Sequence, residues 1–256
     1  MAVLHAGDVA TKQASPFFNV SLRKLFLLPE RSYPTPDIHA GNANPLKVER
    51  MRAFGAEVRT VGEDFDASHA AARAFAAEID ALLIEDGRQP AIAEGAGTIG
   101  LELLRWREPF DAILVPLGDG ALLGGVARWL KTHQPSTQVV GVCARGTPAM
   151  ERSWRARQVQ KLDRTETIAD GIAVRSPYPE ALSNIVGIAD DVVLVEDDML
   201  KEAMRIAHRE LGVVPEPAGA AGMAALLTHR DRFRGQMVGT ILTGGNITVE
   251  QMCQWL

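Results

Sequence analysis

An α/β protein built on a mostly parallel sheet with helices on both faces is the fold class that this sequence predicts. Three observations carry it. From residue 45 onward, strand-like apolar runs alternate with helical patterns. The run Phe110–Leu117 is almost wholly apolar, as a strand buried on both faces requires. Small-residue turns close two of the strands, and ligands bind at the carboxyl ends of strands in such sheets.

The elements follow in order. Leu46–Phe54 is helical, with Pro45 at its first turn and Gly55 just past its end. Ala56–Val61 is a short strand, and Ala67–Ile79 an alanine-rich helix with Asp66 as its cap. Leu82–Glu85 reads as a strand and Ile92–Trp106 as a helix with small residues in its first turn. Strand 110–117, helix 122–131, strand Gln138–Cys143 and helix Pro148–Val159 come next, then a loop over 160–178. Val192–Val195 is a strand and Asp197–Glu210 a well-capped amphipathic helix. Ala218–Thr228 is a helix, Met237–Thr243 the last strand, and Val249–Leu256 a closing helix. Residues 1–44 are irregular: Pro29, Pro34 and Pro36 interrupt any continuous element.

Composition narrows the function classes. The 256 residues are 46% hydrophobic with a net charge of -5, so the chain buries a sizeable core and carries no basic footprint for nucleic acid. No apolar stretch reaches the length of a membrane span, and the first residues lack the pattern of an export signal. Cys143 and Cys253 fit neither a disulfide framework nor a zinc pattern, so a reduced, cytoplasmic setting is expected.

The chemistry starts at Val115-Pro-Leu-Gly-Asp-Gly-Ala-Leu-Leu-Gly-Gly125. A strand that empties into glycines and then into a helix makes an anion cradle. Small residues let backbone amides approach, and the helix dipole favours negative charge. Alone, this loop reads equally well as a tight structural turn or as a dinucleotide site. The latter needs an acid closing the next strand, which instead ends Val142-Cys143-Ala144-Arg145. A nicotinamide-dependent oxidoreductase is therefore a distant alternative. Three more segments stand out: Thr167-Ile-Ala-Asp-Gly-Ile-Ala-Val174, Glu216-Pro-Ala-Gly-Ala-Ala-Gly222 and Leu242-Thr-Gly-Gly-Asn246. Separately they read as a loop, a packed small-residue helix and a strand-terminal turn.

In this order the four segments resemble the serine/threonine dehydratase family of pyridoxal-phosphate enzymes, the fold-type-II or tryptophan synthase β-like group. Asn44–Val58 is similar to the family's small-domain helix and strand, and Ala93–Glu102 to its domain-crossing helix. The resemblance covers roughly Asn44 to Leu256. It implies a domain over residues 45–256, with about 45–90 the remnant of a truncated small subdomain and 91–256 the cofactor-binding one. It also implies pyridoxal 5'-phosphate as cofactor. Its phosphate lies on backbone amides of Gly118, Asp119, Gly120 and Ala121, with Leu122 at the head of the helix. Asp119 and Ala121 depart from the family's run of four glycines. Thr243 matches a family serine that meets the pyridine nitrogen, Gly244 and Gly245 let the ring approach the backbone, and Glu216 lines the pocket. Ala169, Asp170 and Gly171 form a loop near the cofactor, and no metal site is expected.

The family's Schiff-base lysine motif is missing, so no catalytic residue is assigned. Of six lysines, Lys47, Lys131 and Lys201 read as solvated helix positions and Lys161 as part of a polar connection; Lys12 and Lys24 lack the motif's neighbours. Ala40-Gly-Asn42 matches the family's Gly-Asn signature only superficially. The first residues read as the product of a truncation, a shifted frame or a misplaced start. His208 and His229 read as solvated or capping, Met199, Met204 and Met223 as core, and Arg152–Arg157 as an exposed helix face. The expected function is a lyase reaction: β-elimination from a small hydroxy amino acid to a 2-keto acid and ammonia, in a homo-oligomer without nucleic-acid or membrane partners. The alternative is a non-catalytic remnant that serves as a binding or subunit-interaction protein.

Overall fold

A computed structural model describes residues 2–5, 36–39, 43–62 and 65–256. The chain divides into two units, Ser15–Ile84 and Met1–Ala14 with Glu85–Leu256.

In the smaller unit, β1 (Ala2–His5) has no part; its strands are β2 (Pro36–His39) and β3 (Glu57–Thr60). They pair in parallel, Pro36 opposite Glu57, with α1 (Pro45–Ala53) connecting them. Asn44 caps α1 by accepting from the Leu46 amide at 2.9 Å, and Gly55 follows its end at φ +87°. The helix α2 (Phe65–Glu78) starts before Asp66, so Asp66 is a helical residue and not the expected cap. Arg59 lies over the Phe75 ring at 4.3 Å and ties β3 to α2.

The larger unit holds a five-stranded sheet. Its strands are β1, β4 (Ala112–Pro116), β5 (Gln138–Ala144), β6 (Asp191–Val195) and β7 (Met237–Thr240), in the order β1-β7-β4-β5-β6. β4, β5, β6 and β7 run parallel; β1 closes the edge antiparallel to β7. All five residues of β4 are buried, and they divide by alternation. Ala112 and Leu114 join one core with α7 (Asp197–Leu211) and α8 (Ala221–Thr228); Ile113 and Val115 join another with α4 (Ala121–His133) and α6 (Pro179–Ile185). Met204 and Met223 are buried in the first core and Met199 packs against it, as expected. The remaining helices are α3 (Pro90–Leu103), α5 (Ala149–Ala156) and α9 (Val249–Trp255). α3 and α4 touch through small residues: a Cβ on residue 125 would run into the Ala93 carbonyl, and Trp129 covers Gly97 and Gly100.

Several expectations are corrected. Leu82–Glu85 forms no strand. Leu82 is 85% and Ile84 70% exposed, and the apolar run pairs with no strand among the described residues. Residues 1–44 are not wholly irregular: β1 and β2 form because a neighbouring strand offers a ladder, which four residues cannot announce locally. Pro36 opens β2, where its missing amide is tolerated. Helix α6 is an addition after the 160–178 loop, marked by Pro179 at its first turn. The last strand stops at Thr240, which leaves Thr243 in the following turn.

The two cysteines differ sharply. Cys143 is buried and burial pushes its thiol from 9.0 up to about 12, whereas Cys253 is exposed. A neutral thiol is favoured in the folded state, so the group leaves stability intact below about pH 9 and reduces it as pH rises from there toward 12. Titration with a disulfide reagent at neutral pH should modify Cys253 alone. Rapid modification of both thiols in folded protein would contradict the burial of Cys143.

Candidate functional site

The sheet changes direction at β4. The chain passes from β4 to β5 and β6 on one side, then returns to place β7 on the other. A crevice outside the carboxyl ends of β4 and β7 is thus the topological switch point. Gly118–Leu122 leaves β4 there, and Thr243–Asn246 follows β7 there.

The first wall is the β4–α4 turn. Gly120 sits in left-handed backbone at φ +86° and is the N-terminal residue before α4, a conformation that glycine takes without strain. The Gly124 amide donates to the Gly120 carbonyl at 2.8 Å, which closes the first helical turn. Ahead of it, the amides of Gly118, Gly120, Ala121 and Leu122 have no acceptor among the described residues. Gly120 and Ala121 are buried, and buried amides require a partner. A helix N-terminus with several donors left without a protein acceptor among the described residues suits an oxyanion of phosphate size.

The second wall is the Thr167–Val174 loop. Gly118 lies directly under it: a Cβ on residue 118 would lie 3.2 Å from Ile172 Cα and 3.3 Å from the Gly171 carbonyl. Asp197 holds the loop in place. Thr167 Oγ1 donates to one carboxylate oxygen at 2.5 Å, and the Ile168 amide to the other at 2.9 Å. Asp197 therefore serves the loop, while Glu196, the residue before α7, makes no side-chain cap; of the caps expected on this helix, the one present is C-terminal, Gly212 in left-handed backbone. Nothing local marks this role, because the partners lie about thirty residues apart in sequence. Asp197→Ala is expected to cost about 2 kcal/mol through two lost charge-assisted bonds. Urea unfolding checks it, and an unchanged midpoint would mean that the loop holds itself.

Glu216 joins the remaining wall to both loops. It is buried, accepts the Asn246 amide at 3.1 Å, and donates its own amide to the Gly244 carbonyl at 3.2 Å. Gly244 has φ +68°, and a Cβ there would run into the Glu216 carboxylate. A Cβ on Gly171 would lie 3.6 Å from Glu216 Oε1. Gly219 lies so close to the Thr243 carbonyl that a Cβ would overlap it. The structure thus brings Gly118–Leu122, Glu216 and Thr243–Gly245 to one end of the sheet, with 167–174 between them. Sequence reasoning misses Gly219 as an individual residue, although it lies within the singled-out small-residue run.

Two of the described lysines of the larger unit are engaged in ion pairs. Lys131 is not solvated as expected: at the C-terminal turn of α4 it pairs with Asp190 at 2.6 Å and donates to the Thr137 carbonyl at 2.8 Å. Lys201 pairs with Asp198 at 3.1 Å on α7, and Lys161 is exposed. Lys47 lies on α1 of the smaller unit, while Lys12, Lys24 and Ala40–Asn42 lie outside the described residues. Among the described residues no group of three or more histidine, cysteine, aspartate or glutamate side chains is placed to hold a metal. No helix among them is long and apolar enough to cross a membrane. His229 sits at the end of α8, and His208 is exposed.

Parallel sheet, switch point and motif order match one class, the fold-type-II pyridoxal-phosphate family. Residues 38–244 match the family model described as pyridoxal-phosphate dependent enzyme, and the chain belongs to that family, in its serine/threonine dehydratase branch. It is 35% identical over 206 residues to an L-threonine ammonia-lyase of Geobacter sulfurreducens, covering 80% of this chain and 51% of that protein. It is 31% identical over 223 residues to an L-threo-3-hydroxyaspartate ammonia-lyase of a Pseudomonas species, covering 87% and 70%. A crystal structure of the T.th. threonine deaminase superposes with a TM-score of 0.77 at 32% identity, covering 83% of this chain and 70% of that one. The chain spans about half the length of the threonine ammonia-lyase it matches.

Proposed function

We propose that this chain holds pyridoxal 5'-phosphate at the β4/β7 switch point and acts as a serine/threonine dehydratase-like ammonia-lyase. The observation that carries this reading is the set of amides at Gly118, Gly120, Ala121 and Leu122 that have no acceptor among the described residues. The donors fit a phosphate, and the glycines fit a ring laid close to the backbone. The cradle comprises Gly118, Asp119, Gly120, Ala121 and Leu122, and the dipole of α4 adds to it. Thr243 would supply a neutral hydroxyl as partner for the pyridine nitrogen. Gly244 and Gly245 keep the ring face clear, and Glu216 fixes their turn. When bound, the cofactor supplies the electron sink that lets the α-proton of an amino acid leave. The net reaction is loss of the α-proton and β-hydroxyl, followed by hydrolysis to a 2-keto acid and ammonia.

The substrate class is a β-hydroxy-α-amino acid, the feature shared by threonine and 3-hydroxyaspartate, on which the two relatives act by name. Residues from about 91 onward form the cofactor-binding subdomain and about 45–90 the remnant of the smaller one. A cytoplasmic homo-oligomer accords with the composition and with the family.

Equilibrium dialysis against pyridoxal phosphate tests the reading: saturable binding, with ammonia released from serine or threonine, is expected. Absence of binding would overturn it. The ion pairs of Lys131 with Asp190 and of Lys201 with Asp198 favour one second reading, a non-catalytic binding protein, because they engage two of the chain's six lysines. Borohydride reduction decides between the two. A cofactor adduct on any lysine, located by peptide mass, excludes the second.

A further inference from the structure

Directly after the smaller unit, Glu85–Gln89 forms a compact turn before α3. The Gly87 amide donates to Asp86 Oδ1 at 2.9 Å, and Gly87 itself has φ +76°. Arg88 anchors the turn: it pairs with Glu85 at 2.9 Å and with Glu180 at 3.5 Å, and lies 5.4 Å over the Tyr178 ring. The anchored turn presses on the phosphate loop. A Cβ on residue 87 would lie 2.6 Å from the Asp119 carbonyl oxygen, 2.8 Å from Asp119 Cβ and 3.3 Å from Ala181 Cβ.

The contact falls on a particular peptide. Because a peptide unit is planar and trans, the Asp119 carbonyl and the Gly120 amide point in opposite directions. The Gly87 side is the carbonyl side, so the Gly120 amide, which has no acceptor among the described residues, is directed away from it. We infer that Gly87 is a positioning residue: its turn braces the Asp119–Gly120 peptide and thereby aims the Gly120 amide at the cofactor phosphate. The inference rests on the cofactor reading above. It assigns to the chain's own 85–89 segment a share of phosphate affinity that the phosphate loop does not supply by itself.

The test compares affinities for pyridoxal phosphate and for pyridoxal, which lacks the phosphate, by equilibrium dialysis. Gly87→Ala should weaken pyridoxal phosphate about tenfold or more, the scale of one charge-assisted hydrogen bond, and change pyridoxal less than about twofold. Gly187→Ala is the control. Gly187 also has a positive φ, +85°, but a Cβ there meets nothing within 4 Å, so both affinities should persist. Arg88→Ala places no new atom near the loop and only loosens the brace. It should weaken pyridoxal phosphate selectively by a smaller factor, which keeps the test valid if Gly87→Ala does not fold. Equal losses for both ligands, or no loss in either variant, would overturn the inference while leaving the cofactor reading intact. Failure of the unaltered chain to bind pyridoxal phosphate would remove both.

Discussion

Gly219→Ala is expected to lower stability by about 3 kcal/mol and to disturb the cofactor site with it. The size follows from overpacking, for the added methyl would overlap the Thr243 carbonyl and crowd the Gly244 carbonyl, both backbone atoms. The 3-10 turn Ala218–Ala220 is fully buried and cannot retreat. The Thr243 turn must therefore move, taking with it the hydroxyl proposed to meet the pyridine nitrogen. Urea denaturation gives the stability change, and dialysis the loss of pyridoxal phosphate. Gly212→Ala provides the comparison, because Gly212 has φ +66° and open space around it. Equal midpoints for the two variants would show that the 219–243 approach is looser than described.

Glu216→Ala is the second large effect, about 2–3 kcal/mol. Its carboxylate is buried, accepts the Asn246 amide and packs against Gly244. Removing it strands a backbone donor and opens a space beneath the turn. Glu216→Gln keeps the shape and one acceptor oxygen, so it should recover most of the stability. A thermal melt of the two variants, with dialysis against pyridoxal phosphate, separates packing from charge. Should alanine and glutamine behave alike, the negative charge would be the part that matters.

Legibility in the sequence varies with the range of the interactions involved. The buried strand β4, the glycine turn and helix α4 are contiguous, so apolar pattern and turn chemistry place them within a residue or two. The failures are equally specific. Leu82–Glu85 has the composition of a strand and no partner strand among the described residues, while Ala2–His5 has too few residues to signal and finds β7. Asp197 reads as part of a helix start, yet it holds a loop thirty positions away. Lys131 reads as solvated, yet Asp190 and the Thr137 carbonyl engage it. For β1, Asp197 and the Lys131–Asp190 pair, the deciding partner lies far along the chain.

By itself the sequence determined the α/β class, the order of its main elements and the four motifs that carry the family resemblance. These are short-range properties, written in periodicity, turn residues and local spacing. Only the tertiary structure decided that the four motifs converge on the β4/β7 switch point, that Glu216 joins them, and that Lys131 and Lys201 pair with Asp190 and Asp198. Strand order decides which distant segments meet, and the close approaches at Gly87, Gly219 and Gly244 exist only once packing has brought those segments together.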